Sequence, residues 1–394
     1  MTERAMGRGP VRVAVVITRL EGGAGILALR GAMALDPARF QVTVITGSGT
    51  ALIARARAAG LEVVVEPSLR APMDPVADLT ALRRLSALLR QRRFDVVHTH
   101  TAKAGAVGRL AARRAGAGRI IHTYHGFPFH EFQSPARRAA YVALERRLGR
   151  ITDLALCVGS GVAVEAVRRG LIPPDRIRTI GVAVDAPLAV ATDVGARRRA
   201  RRLLGLPGHA TVVGAVGRLA YQKAPEDFLA ALRALRRPGV VGVWVGGGEL
   251  AGRMARLAAA QPQAPVLLVG ERDDVPTLLP AFDVFTLPSR YEGLPTAVVE
   301  AMLWGVPVVA TAVNAVGDLV VPGETGLLVP PRRPGLLAGA IRSLLDSPAD
   351  AARMAAAARA RLGNRYTVPA LRDALEAAYA TPDSNDTDSS RLVA

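Results

Sequence analysis

Short runs of Val, Ile and Leu recur along the chain between longer stretches rich in Ala, Leu and Arg. In the first half they fall at Val11–Ile17, Gln41–Thr46, Leu61–Val65, Asp95–Thr99, Arg119–Thr123 and Leu154–Val158. A second series follows at Thr211–Val216, Gly239–Val245, Ala264–Val269, Val284–Leu287, Val306–Ala310 and Gly326–Val329. Many of these runs are near-continuous rather than alternating, the pattern of strands buried on both faces of a parallel sheet. Stretches between them, such as Pro75–Arg92 and Glu226–Arg236, read as crossover helices. Repeated βα units predict an α/β protein with doubly wound sheets.

The series breaks between residues 186 and 208, where an Arg-rich stretch, Arg197–Arg202, runs up to Leu206-Pro207-Gly208. Two Rossmann-like domains are therefore expected, at 1–185 and 209–365, with 186–208 as a linker carrying an exposed helix. A last helical pattern within 366–380 is expected to pack back on the first domain. Residues 381–394 are polar and aperiodic and read as a disordered tail. The two domains would face a central cleft at the carboxyl ends of their strands, where open α/β sheets bind ligands.

Composition narrows the picture. A length of 394 residues suits two domains, and 50% hydrophobic residues are enough for two large cores. Gly 39 and Pro 27 are spread without a period, against collagen-like or low-complexity chains. A single cysteine excludes a disulfide framework or a cysteine-rich metal site. No uncharged apolar run reaches the roughly 18 residues of a spanning helix, and Val11–Ile17 reads as a strand rather than a signal peptide. The cytoplasm is the expected compartment.

The net charge is +18, and it is uneven: residues 1–185 hold 28 basic and 14 acidic groups, residues 186–394 hold 23 and 19. Such a field favours anionic lipid surfaces, nucleic acid or a phosphorylated acceptor. Aromatic residues make up only 4% of the chain, too few for an extensive base-stacking platform, so nucleic acid is not expected as a partner. Lys103 and Lys223 are the only lysines.

Candidate chemistry clusters in loops that follow strands. After Val284–Leu287 comes Arg290-Tyr-Glu-Gly-Leu-Pro-Thr-Ala-Val-Val-Glu300. Pro295 suits a first helical turn, and the helix should run to Trp304 and stop at Gly305. Glu292 then lies just ahead of the helix and Glu300 inside it, while Gly293 and Leu294 would aim backbone N–H groups at an anion. Paired carboxylates beside an anion site suit a ligand bearing both phosphate and hydroxyls. Gly217-Arg218-Leu219-Ala-Tyr-Gln-Lys223 offers a guanidinium fork and a compact second cation for a diphosphate. Gly22 and Gly23, after the first strand, would let a phosphate or sugar lie against the backbone. Gly246-Gly-Gly248 and the segment from Gly270 to Asp274 could seat a nucleotide base and ribose. Asp273 and Asp274 lack a third ligand, so no metal is expected. His125 follows a strand end as a candidate donor to a hydroxyl or phosphate. His98 and His100 share one side of a strand end and read as structural.

Together these motifs resemble the family 4 (group 1) retaining glycosyltransferases, which have the GT-B fold. The first domain contributes VVHTHTAKAGAVGRLAARRAG (96–116) and HTYHGF (122–127). The second contributes GRLAYQK (217–223), GERDDVP (270–276), SRYEGLPTAVVEAMLWGVPVVAT (289–311) and TGLLVPP (325–331). The resemblance implies that Arg218 and Lys223 hold the donor diphosphate, that Glu292 contacts sugar hydroxyls, and that Glu300 contacts ribose hydroxyls. It also implies that the Gly293–Leu294 backbone approaches the sugar and phosphate, that Gly22 and Gly23 line the phosphates, and that His125 lies beside the reacting sugar. The family keeps the anomeric configuration and needs no divalent metal. Ala224 stands where the family often has Gly, Gly25 where an acidic residue is frequent, and Ala315 and Asp318 alter the donor loop.

The resulting expectation is a retaining glycosyltransferase that moves a sugar from a nucleotide diphosphate sugar, as co-substrate and with no other cofactor, to a hydroxyl acceptor. The expected role is in cell-surface polysaccharide, lipid-linked saccharide or glycolipid synthesis, with a lipid-linked saccharide at the inner face of the plasma membrane as the first acceptor considered and peripheral contact through the basic first domain. Glycosylation of a small soluble secondary-metabolite acceptor, and a nucleotide-sugar epimerase of the same fold, are the alternatives.

Overall fold

Two parallel sheets dominate the computed structural model, which describes residues 9–70, 73–130, 132–185 and 193–380. The first sheet holds β1 (Val11–Arg19), β2 (Phe40–Ser48), β3 (Glu62–Val65), β4 (Val96–His100), β5 (Arg119–Tyr124), β6 (Leu154–Cys157) and β7 (Ile177–Thr179), in the order β3-β2-β1-β4-β5-β6-β7. The second holds β8 (Thr211–Val216), β9 (Val240–Val245), β10 (Val266–Gly270), β11 (Val284–Leu287), β12 (Val308–Thr311) and β13 (Leu327–Val329), in the order β10-β9-β8-β11-β12-β13. Strand order reverses between β1 and β4 and again between β8 and β11, and such switch points open crevices at carboxyl ends.

The crossovers of the first domain are α1 (Gly22–Ala34), α2 (Ala51–Ala58), α3 (Pro75–Arg92), α4 (Ala102–Ala115), α5 (Pro135–Gly149) and α6 (Ser160–Arg168). Caps set their starts. The Asp74 carboxylate accepts from Ala77 N ahead of Pro75, and the Ser134 hydroxyl accepts from Arg137 N ahead of Pro135. The uninterrupted apolar runs of the sequence become fully buried strands: Val13, Val15 and Ile17 of β1 are at most 2% exposed. Strand β7 was not expected; its three residues, Ile-Arg-Thr, are half-buried or exposed and give no apolar run.

After α7 (Val194–Leu203), the second domain carries α8 (Pro225–Leu235), α9 (Ala251–Ala259), α10 (Val275–Leu278), α11 (Thr296–Leu303), α12 (Val316–Leu319), α13 (Pro334–Asp346) and α14 (Pro348–Leu362). Here the linker reading needs correction. Helix α7 is not a free, exposed helix: it packs on α10 and on the turn Leu279–Ala281, with Ala200 fully buried and Arg201 5% exposed. Asp283 is the reason those arginines can approach the core. It takes Arg201 at 3.1 Å and pairs with Arg197, while Val212 N donates to the same carboxylate at 2.7 Å. Residues 186–192 of the expected linker and the expected tail, 381–394, lie outside the described residues.

Helix α15 (Val368–Tyr379) returns to the first domain and packs on α1. A Cβ on Gly31 would stand 2.6 Å from Leu375 Cδ1, so a larger residue there would require the leucine side chain to move. Where the chain crosses back, Val184 N donates to Tyr366 O at 2.9 Å. Among the described residues no helix is long and apolar enough to cross a membrane.

Candidate active site

The loop after β8 is shaped by close backbone approach. Gly217 N donates to Val245 O, Trp244 Nε1 donates to Gly217 O at 2.8 Å, and a Cβ on Gly246 would lie 2.2 Å from that same oxygen. Leu219 N donates to Gly247 O at 2.7 Å, which leaves Arg218 between them, exposed. A 3-10 turn, Tyr221–Lys223, then delivers Lys223, and Ala224 takes a left-handed φ of +50° before α8 begins at Pro225. That backbone conformation is the one glycine adopts freely, which gives a physical reason for the glycine the family often has there.

Lys223 Nζ lies 2.6 Å from Glu292 Oε1, and the pair is largely buried, the two side chains 19% and 5% exposed. Gln222 Nε2 donates to Tyr291 O at 3.1 Å and to Glu292 Oε2 at 3.4 Å, and Arg290 N donates to Gln222 O at 2.8 Å. The two loops are thus stitched along their length. Glu292 N donates to Asn314 Oδ1 at 3.2 Å, so that amide is already engaged. Pro295 stands one position earlier than expected, as the N-cap of α11, and Gly305 (φ +70°) follows its C-terminus.

The first domain meets this loop through His125 and Gly126. A Cβ on Gly293 would lie 1.9 Å from His125 O, and one on Gly126 would be 3.6 Å from Gly293 N. The strand end bearing His125 is fixed from below: Tyr124 OH donates to Glu145 Oε2 at 3.0 Å, and that buried carboxylate pairs with Arg109 at 2.8 Å. Further along the same loop, the His130 ring stacks on Tyr291, centroids 4.4 Å apart at 9°. Burial pushes the His125 imidazole down to about 4, so it is neutral at pH 7. His100 and His98 are drawn in as well: His100 Nδ1 is 2.9 Å from His125 Nε2, and the rings of His98 and His100 lie 4.2 Å apart.

Burial lifts the Glu300 carboxyl to about 7, and Arg30 and Asp185 of the first domain act on it with opposite sign. Arg30 itself donates to Asp185 and Ala183 O at 2.6 Å each. Leu294 is buried behind Gly293. Gly270 (φ +80°) accepts from Gly246 N at 2.7 Å, which joins its loop to the Gly217 loop. Gly22 and Gly23 open α1 on an exposed surface where a Cβ would meet nothing within 4 Å. Asp274 is held by Arg272 through two bonds of 2.7 Å, and among the described residues no three His, Cys, Asp or Glu side chains are grouped to hold a metal ion.

Asp318 has a partner the sequence did not indicate. Its carboxylate accepts from both the backbone N and the hydroxyl of Ser160, at the start of α6 in the other domain. Gly159 and Gly161 allow the approach, since a Cβ on either would lie within 2.8 Å of Ala315, Asp318 or Asn314.

Fold and site define a two-domain α/β protein whose cleft, between the carboxyl ends of two parallel sheets, sets cations, carboxylates and a glycine backbone against a neutral histidine. Comparison with known proteins places it further. Residues 21–187 match the model of Glycosyltransferase Family 4 and residues 210–347 that of Glycosyl transferases group 1. A UDP-Gal:alpha-D-GlcNAc-diphosphoundecaprenol alpha-1,3-galactosyltransferase of Escherichia coli is 33% identical over 270 residues, 67% of this chain and 69% of that one. A D-inositol 3-phosphate glycosyltransferase of Catenulispora acidiphila is 30% identical over 327 residues, 77% and 75% of the two chains. Among solved structures, Anabaena HepE in complex with UDP and glucose has a TM-score of 0.79 at 20% identity, covering 93% of this chain and 99% of that one. The chain belongs to glycosyltransferase family 4 and is a glycosyltransferase of the GT-B fold.

Proposed function

We propose that this protein moves a sugar from a uridine diphosphate sugar to the hydroxyl of a phosphorylated acceptor, with retention of anomeric configuration and without a divalent metal. The observation that carries the reading is the meeting of Lys223, Glu292 and Gly293 with the His125 loop across the cleft. Uridine is supported by the UDP and glucose bound in HepE. A phosphorylated acceptor is supported by two relatives whose names carry one, a diphosphoundecaprenol saccharide and D-inositol 3-phosphate. The basic excess of residues 1–185 suits an anion on that side of the cleft.

In this reading Arg218 and Lys223 neutralise the diphosphate as the bond from its oxygen to the anomeric carbon breaks. Glu292 accepts from sugar hydroxyls and Glu300 from ribose hydroxyls, while the Gly293 backbone lets the phosphate approach. Gly22 and Gly23 line the phosphates from the first domain, and Gly270 helps seat the base. The acceptor oxygen attacks the same face, and its proton passes to the departing phosphate oxygen. Neutral His125 contributes a hydrogen bond beside the developing positive charge rather than a second cation.

The test offers UDP-galactose or UDP-glucose, in excess EDTA, with either an undecaprenyl-diphosphate saccharide or inositol phosphate. The reading expects an α-linked product from one acceptor and about a hundredfold loss of turnover in Lys223→Ala. A β-linked product, full turnover in that variant, or an isomeric nucleotide sugar formed without acceptor would overturn it.

A further inference from the structure

Strand β4 ends His98-Thr99-His100 beside β5, with His100 opposite Thr123 and Thr99 opposite His122. Alternation sends His98 and His100 to one side and Thr99 to the other, where its hydroxyl meets His122 Nδ1 at 2.9 Å. Both ring nitrogens of His98 are occupied: Nδ1 by Tyr379 OH and Nε2 by the Thr123 hydroxyl, each at 2.7 Å. His98 is therefore fixed, and its ring backs that of His100 at 4.2 Å and 36°. His100 in turn reaches His125 through Nδ1, at 2.9 Å from Nε2.

We infer that His100 is a positioning residue for His125: it fixes which ring nitrogen of His125 carries the proton and holds the ring toward the cleft. This rests on the sugar transfer proposed above for the same site. Burial and the neighbouring histidines hold His100 well below the ordinary histidine range, so it too is neutral. A contact between two neutral imidazoles needs one N–H and one lone pair. If His100 donates from Nδ1, the His125 proton sits on Nδ1, and His125 presents a donor to a ligand. If His125 donates from Nε2, it presents a lone pair instead. In both cases Nε2 is engaged by the protein, and Nδ1 is the ring atom left for the ligand. The backbone of His125 is held separately, by the closeness of its carbonyl to Gly293. Removing the His100 ring would thus release the imidazole while the loop stays in place.

The test uses the full chain with histidine labelled with nitrogen-15, and compares His100→Ala, His100→Asn, His125→Ala and the His100→Ala/His125→Ala double variant. His100→Ala should lower kcat about tenfold or more while the donor KM moves less than about threefold. The Asn side chain can place a donor or acceptor near the position of Nδ1 and should recover most of the loss. In the His125→Ala background the His100→Ala change should add nothing, because residues acting through one another are not additive. Imidazole nitrogen spectra should show one His125 tautomer in the wild type and in His100→Asn, and an exchange average in His100→Ala. An unchanged His125 spectrum, or an equal further loss in the His125→Ala background, would overturn the inference. Full turnover in His125→Ala would instead remove His125 from the reaction, and the spectra would still decide whether His100 sets its tautomer. If His100→Ala does not fold, the His100→Asn spectrum and its kcat carry the decision.

Discussion

Lys223 and Glu292, 69 residues apart in sequence, share one short ion pair at the cleft. A carboxylate that holds an ammonium also competes with any phosphate for it. Glu292→Gln should therefore bind UDP about threefold or more tighter than the wild type while turnover falls about a hundredfold, since a sugar contact is weakened as the cation is freed. Calorimetric titration with UDP, set beside steady-state rates, checks both halves. Weaker UDP binding in this variant would mean that the pair acts as one unit to hold the diphosphate.

At Gly293 the backbones of the two domains meet with no room for a side chain. An alanine Cβ 1.9 Å from His125 O forces a shift of backbone, not of a flexible side chain. Gly293→Ala should lower kcat by about tenfold or more, with the two domains still folded. Circular dichroism and the rate with saturating donor test this, and an unaltered rate would place the reacting sugar away from this contact.

Glu300 ionises near neutrality because burial lifts its carboxyl to about 7. Its raised value means it is mostly protonated at pH 6 and mostly ionised at pH 8. The carboxylate is the stronger acceptor for hydroxyls, so UDP affinity should rise between those pH values in the wild type more than in Glu300→Gln. Comparing the two proteins removes the titration of the nucleotide itself. Parallel pH profiles would show that Glu300 does not touch the ligand.

Acid should unfold the protein early. His98 is held at about 3 and His125 at about 4, and His100 and His122 lie well below their ordinary range, all chiefly through burial. Their folded-state values are depressed, so the unfolded chain takes up protons that the folded one refuses. Stability is fully present above pH 6.5 and falls below it, by up to about 1.4 kcal/mol per pH unit for each histidine until its folded value is reached. Glu300 works in the opposite sense, one group against four. Urea midpoints measured from pH 7.5 to pH 5 should decline steadily, and a flat series would show those histidines charged in the fold.

The clasp between Asp318 and Ser160 should contribute about 1 kcal/mol, a discounted value for charge-assisted bonds that are partly open to solvent. Asp318→Ala should lower the urea midpoint while leaving UDP affinity within about twofold, the measurement that separates an interdomain role from a donor contact.

Much of the fold was legible because strands buried on both faces must be written as unbroken apolar runs. Thr211–Val216, Val284–Leu287 and Pro75–Arg92 appear where the pattern put them. Helix α7 reads as exposed in the sequence because a six-residue stretch rich in arginine looks solvated, and the carboxylate that neutralises Arg197 and Arg201 comes from Asp283, more than 80 residues later. The Ala200 and Leu204 pair, at helical spacing, was the available signal. In the site, Glu292, Gly293 and Lys223 could be picked out one by one from their loops, but not their pairing, which depends on how two loops are stitched through Gln222 and Arg290. His100 looks structural in the sequence. Its place on the strand was inferable from alternation, but its reach to His125 depended on β4 extending to residue 100.

The chain leaves the first domain beyond Val184 and returns to it near Tyr366, and the two crossings are joined where Val184 N donates to Tyr366 O. That bond ties the exit of one crossing to the entry of the other, so torsion of the second domain about either one would strain it. Tyr379 and Leu375 of α15 bolt the far end of the return crossing to the first domain. Cutting the chain after Leu362 would leave a single connection, and with it a pair of lobes able to rotate out of register.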